Sequence, residues 1–517
     1  MDRSPGQGLR KLYDPRTQSG RSRLIAGFTS AQNSMKMHTA WNGVSQIAPQ
    51  LVALAVVPIL LHHLGLKGYG VWALVNTLMV FAVSLDGGIS NSAQRFYILY
   101  LSHADAKLTA RFTTTLLTFV VLVTALLYGL GPIISRAVLA FTKIPVDLQP
   151  DARFLLRNIG LLIGLLLCSN ILMGYLRAIN RFRAIAISTL VAQLGYVTTI
   201  VILAERLTVS RMFTLALIQL GLMNVLLAFN CAAQLAQVRL RFLSVTEVKE
   251  LYSYAWRAQI TNVSALAILQ TDSLFVAALL PIEQLAYLAI ASQATSGIRS
   301  LPTFALAPLL SQITHKFGRS GLVSATTLAS SHNRKWVFLI SMYSAITVAT
   351  IGFGVRGWAG DYPSAEVAAV VLAMGNACNL MAGVAAAYCR SIGRPGIEAR
   401  YALVLVIGNL ALSGPCTYFG GLMGAVWSTA AVQLAGIIYF HRVLGRTVPT
   451  FDRGLGQIRP LRLAFMGGCA LALGLLSLLL PAKSLTTLAI VVMAAAVPAL
   501  VYVLVERRRK PQGLMAQ

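Results

Sequence analysis

Long apolar runs alternate with short basic connections along this chain, and that alternation decides what it can fold into. A run of eighteen or more mostly apolar residues is long enough to cross the hydrocarbon core of a bilayer as a helix, and a helix satisfies its own backbone there. Twelve such runs are read at 41–64, 70–98, 112–135, 155–177, 183–204, 211–235, 251–280, 285–313, 335–357, 363–389, 399–418 and 420–441, and a final pair at 461–481 and 485–505. Only 11% of the 517 residues are charged and 56% are hydrophobic, too few polar side chains to cover a soluble protein of this size. The expected fold is an all-α polytopic membrane protein with fourteen transmembrane helices.

The cations test this reading. With the N-terminus in the cytoplasm, 31 of the 43 Lys and Arg residues fall in cytoplasmic segments and nine in outer ones. That asymmetry obeys the positive-inside rule, and a single miscounted helix would move every later loop to the wrong face. Both termini are therefore expected in the cytoplasm. The formal net charge of +27 does not point to nucleic acid, because the cations are spread over short connections and form no stripe interleaved with aromatics. The six cysteines lie in apolar segments or at their ends, without metal-ligand or redox spacing, and read as small core side chains.

No connection is long enough to house a catalytic module, so the chemistry must happen between the helices. Two parts of the chain look related. "LGLKGYGVWALVN" (Leu64 to Asn76) leads into the second helix as "LPIEQLAYLAIAS" (Leu280 to Ser292) leads into the eighth. Each has a tight turn, then an aromatic and small residues, then a long helix. Six helices is an even number, so each half begins and ends on the same side, and the two are expected to be pseudo-symmetric about the membrane normal. The expected division is a basic cytoplasmic tail over 1–40, a six-helix bundle over 41–235, a cytoplasmic linker over 236–250 and a second six-helix bundle over 251–445. A cytoplasmic loop with the extra helix pair then covers 446–505, and a second basic tail 506–517.

Charges inside the spans are the candidate functional residues, because an ionised side chain at membrane depth is expensive and usually faces a wet cavity or a partner. Arg299 lies about 22 Å along its helix, near mid-membrane. Two readings stand: a binding group for anionic cargo, which a guanidinium suits by forking onto phosphate, or an internal ion pair with Asp86. Asp86 is at similar depth, as that counter-ion or as a proton or cation coupling site. Arg95 and Arg257 lie nearer the cytoplasm, as interfacial anchors or as part of a positive mouth. Asp272 is read as a second coupling site or an interfacial residue. Pro302 and Pro308 follow Arg299, and such prolines kink helices and release backbone carbonyls. Amides within the spans, among them Asn42, Gln46, Asn76, Asn91, Gln94, Asn262, Gln270, Asn376, Asn379 and Asn409, suit sugar hydroxyls but also hydrogen-bond helices to each other. His62 and His63 have no third ligand nearby, and no metal site is expected.

Two stretches carry a resemblance. "HHLGLKGYGVWALVNTLMVFAVSLDGGISNSAQRFY" (His62 to Tyr97), with its Gly-Tyr-Gly turn, Asp-x-Gly and following basic residue, resembles the second-helix signature of bacterial polysaccharide flippases. "YSYAWRAQITNVSALAILQTDSLFVAALLPIEQLAYLAIASQ" (Tyr252 to Gln293) resembles the start of that family's second half. The family is the Wzx-like polysaccharide or O-antigen flippase group, the polysaccharide transporter branch of the multidrug/oligosaccharidyl-lipid/polysaccharide exporter (MOP) superfamily. The resemblance implies a V-shaped, MATE-like pair of bundles in the bacterial inner membrane, with the extra helix pair at the C-terminal end. It implies alternating access that moves undecaprenyl-pyrophosphate-linked repeat units to the periplasmic leaflet for O-antigen, capsule or exopolysaccharide synthesis. Arg299, Arg95, Arg257 and Asn91 would bind the cargo, Asp86 and Asp272 would serve as coupling or counter-ion sites, and Pro49, Pro58, Pro302 and Pro308 would form gates. No cofactor is expected beyond H+ or Na+ coupling. The partners implied are membrane lipids, the lipid-linked glycan, a polysaccharide polymerase and a chain-length regulator, and not nucleic acid.

The rival readings are a multidrug exporter or a lipid II flippase of the same superfamily and, less well supported, a membrane glycosyltransferase or polymerase. An exporter of cationic drugs favours an anionic cavity, whereas the deep charges here are mainly arginines. Only 16 Asp and Glu are present and no outer loop pairs them, which argues against an enzyme.

Overall fold

A computed structural model describes residues 18–84, 89–102, 106–232, 242–249, 251, 270–303 and 306–452. The elements are α1 (Gln18–Ser84), α2 (Ile89–Ser102), α3 (Ala106–Phe141), α4 (Gln149–Ala178), α5 (Phe182–Ile202) and α6 (Val209–Asn230). After a helical stretch at 270–279 come α7 (Ile282–Thr303), α8 (Leu306–Ala359), α9 (Pro363–Met381), α10 (Gly383–Ser391) and α11 (Pro395–Thr447). Eight helices among the described residues are long and apolar enough to cross a membrane. The expected thirteenth and fourteenth helices lie outside the described residues.

Three elements are too long for one crossing, and each is divided by a glycine: α1 at Gly65 (φ 67°, ψ 175°), α8 at Gly321 (φ 73°, ψ −175°) and α11 at Gly421 (φ 60°, ψ −146°). Side chains exclude residues other than glycine from that region, so these positions end one span and begin the next. In α11 the chain folds back: a Cβ on Gly408 would meet Val432, and one on Gly436 would meet Leu405. One expected span is not a single helix: the tenth is divided at Ala382 between α9 and α10.

Many large apolar side chains point outward, including Val121, Leu122, Ile202, Phe229, Ile407 and Phe419. Such a surface calls for lipid as its solvent. Within the first half α4 packs on α2, α3 and α6, and α5 on α1 and α6; within the second, α9 packs on α7, α8 and α11. The main seam between the halves is α1 against α7.

That seam is tight at one face of the molecule. A Cβ on Gly70 would stand 2.5 Å from the Ile282 carbonyl oxygen, so only glycine allows this approach. Lys67 pairs with Glu283 at 3.8 Å, and Lys143 Nζ donates to the Leu279 carbonyl at 2.8 Å. Deeper along the seam Gly297 meets Leu54, and the Ser300 hydroxyl donates to Gln50 Oε1 at 2.7 Å. At the other face each half is tied within itself. Arg111 donates to the Phe242 carbonyl and pairs with Glu247, while Asn333 and Ser330 hold the backbone of Asp452.

Candidate functional site: a polar cavity between the halves

Between the halves lies a cavity of about 500 Å³. One wall comes from α1, α4, α5 and α6, the other from residues 270–273, α7, α9 and the second arm of α11. The cavity reaches inward from beside the tight face, where Tyr69 and Trp72 line it, and along α7 Ser292 to Arg299 sit about 15–26 Å from Ile282, at mid-depth of a bilayer-sized slab.

Arg299 is on this wall, partly buried, and α7 turns Ala289, Ser292, Gln293 and Ser296 to the same side. Spacings of three and four residues place these on one helical face. Arg299 makes no ion pair with any described residue. Asp86, its expected counter-ion, lies outside the described residues, as does Arg257. Only the backbone of Asn91, Arg95 and Pro308 is described, in helical conformation.

Asp272 lines the same cavity and is 6% exposed. One carboxylate oxygen accepts from the Ser413 hydroxyl at 2.6 Å, the other from the Thr429 hydroxyl. These donors come from the two arms of α11, either side of Gly421, so the fold-back builds the carboxylate's cradle. Asp272 is thus buried among protein groups and not set at an exposed surface. One turn beyond Thr429, Gln433 is 4% exposed on the same wall, and its side-chain oxygen has no hydrogen-bond partner among the described residues.

The rest of the polar lining is mostly amide: Asn76, Gln193 and Gln219 from the first half, Gln270, Gln293, Asn376 and Gln433 from the second. Sequence reasoning singled out Asn76, Gln270 and Asn376 and missed the other four. Gln293 was legible from its spacing to Arg299. Gln193 and Gln433 are the only amides in their spans, and Gln219 shares its span with Asn224, Asn230 and Gln234 without a pattern to mark it. Other buried amides join helices, Asn379 bonding the Tyr401 hydroxyl at 3.1 Å and Asn224 the Leu165 carbonyl at 2.9 Å.

Of the prolines, Pro49 lines the cavity, and Pro58 and Pro302 lie within α1 and α7. The break in α1 is at Gly65 and not at either proline. His62 and His63 are exposed with their rings edge to face at 4.8 Å.

Helical halves enclosing a polar chamber, built from helices long and apolar enough to cross a bilayer, make this a multi-pass membrane protein. The same fold is found in a lipid II flippase, MurJ, in an inward closed conformation (TM-score 0.70, 12% identity, covering 90% of this chain and 98% of that one). It is found in an inward-facing multidrug resistance MATE family transporter of the MOP superfamily (TM-score 0.60, 12% identity, 78% and 95% covered). It is also found in the MATE multidrug transporter DinF-BH in complex with R6G (TM-score 0.56, 14% identity, 81% and 96% covered). No curated protein matches the sequence. The family described as "Polysaccharide biosynthesis protein" matches residues 36–314, and the chain belongs to it.

Proposed function

We propose that this protein flips undecaprenyl-pyrophosphate-linked oligosaccharide units from the cytoplasmic to the periplasmic leaflet of a bacterial inner membrane by alternating access. The observation that carries this reading is the position of Arg299: a guanidinium at mid-membrane, on the wall of a polar chamber, with no carboxylate partner among the described residues. A planar fork of donors suits a pyrophosphate, and it stays charged where an amine would lose its proton. The amides offer donor and acceptor pairs to sugar hydroxyls without adding net charge. The polyprenyl tail stays in lipid and enters through the α1–α7 seam, where Pro49, Pro58 and Pro302 supply the gate.

Both termini are cytoplasmic in this reading, so the tight face is periplasmic and the chamber loads from inside. About two negative charges moving outward run down an inside-negative potential, releasing about 2.3 kcal/mol per charge per 100 mV. The remaining task is to lower the barrier in hydrocarbon. Asp272, cradled by hydroxyls from both arms of α11, is the H+ or Na+ coupling site that resets the halves. The partners are the lipid-linked glycan, membrane lipids, a polysaccharide polymerase and a chain-length regulator.

Flipping assayed in vesicles with Arg299→Ala tests the proposal. A loss of tenfold or more is expected, and undiminished transport removes Arg299 from the mechanism. A second reading, export of cationic drugs, is favoured by one observation, the Asp272 carboxylate in the same chamber. Resistance to cationic dyes on expression would support it.

A further inference from the structure

Of the three prolines inside the seam helices, Pro58 and Pro302 each leave a described carbonyl without its helical donor. A proline nitrogen carries no hydrogen, so Pro302 cannot bond the carbonyl of Ile298 four residues earlier, and Pro58 cannot bond that of Leu54. The Tyr343 hydroxyl donates to the Ile298 carbonyl at 2.6 Å, and the Trp358 indole N–H donates to the Leu54 carbonyl at 2.8 Å. Both donors sit on the second arm of α8, fifteen residues apart. The same repair made twice by one helix is difficult to ascribe to chance packing.

The first repair bears on the site. Ile298 precedes Arg299 in the chain, and Tyr343, Arg299 and Asn376 border one small void beside the main chamber. A carbonyl left unbonded at membrane depth is costly and takes whatever donor is near. We propose that Tyr343 is the positioning residue for Arg299. By occupying the Ile298 carbonyl it fixes the weakened turn of α7 to α8, so that the residue next in the chain, Arg299, keeps its place on the chamber wall. This rests on the reading of Arg299 as a pyrophosphate group. It adds a consequence for alternating access: the Ser300–Gln50 bond crosses the halves and breaks when they part, whereas Tyr343 and Arg299 belong to the same half and travel together.

The test is a double-variant cycle on the full-length protein in nanodiscs, with farnesyl pyrophosphate as probe and farnesol as control. Hydrogen exchange over residues 296–303 is the second readout. Tyr343→Phe should weaken pyrophosphate binding about tenfold and speed exchange in that turn. Pro302→Ala restores the missing N–H. On that background Tyr343→Phe should change either readout less than twofold. Equal losses with and without Pro302→Ala, or unaltered exchange in Tyr343→Phe alone, overturn the proposal. Arg299→Ala separates the two ideas: if it leaves pyrophosphate binding intact, the cargo reading fails, and the exchange cycle still decides whether Tyr343 repairs the turn.

Discussion

Arg299 and Asp272 share one chamber yet are held in opposite ways. The guanidinium has no carboxylate among the described residues, while the carboxylate is closed in by Ser413 and Thr429. A group held open to the chamber suits a ligand that comes and goes, and one wrapped in hydroxyls suits a small cation or proton. Asp272→Asn should therefore leave binding of a pyrophosphate lipid within about twofold while removing the dependence of flipping on a pH or sodium gradient, read in vesicles with imposed gradients. Retained gradient dependence would take Asp272 out of the coupling role. At this scale the sequence was informative where it was anomalous. An arginine inside an apolar run is visible because its cost is large. Gln193, Gln219 and Gln433 were not visible, since an amide in a span costs little and looks the same whether it binds cargo or a neighbouring helix. The cradle of Asp272 was also hidden, because Ser413 and Thr429 meet only through the fold-back at Gly421.

Among elements, the α1–α7 seam sets how the halves meet. Gly70 permits a backbone approach that any side chain would prevent, its virtual Cβ lying 2.5 Å from the Ile282 oxygen. Gly70→Val should pry the tight face apart, seen as a longer distance between spin labels at Val146→Cys and Phe419→Cys in a background without native cysteines. Those two positions are exposed, one in each half. An unchanged distance would mean that this contact does not hold the face closed. Spans were legible because hydropathy over twenty residues outweighs local detail. The breaks were less so. Gly65 falls at an expected turn and Gly421 just past one, but the division of the tenth span at Ala382, beside Gly383, involves no proline and no left-handed glycine to announce it.

For the whole molecule, apolar runs and loop charge were enough to give a helical membrane protein, and the family and the solved folds agree with that class. Where the chamber lies between the halves was beyond the sequence, because it depends on which faces of α1, α5, α7 and α11 oppose one another. The central claim is that a mid-membrane guanidinium recognises the diphosphate of a lipid-linked sugar. The most direct measurement compares flipping of a polyprenyl-diphosphate sugar with that of the matching monophosphate in proteoliposomes, for the unaltered protein and Arg299→Gln. A charge-assisted bond contributes about 1.5–3 kcal/mol, so the unaltered protein should prefer the diphosphate by about tenfold or more and Arg299→Gln should lose the preference. The same preference in both proteins would contradict the account.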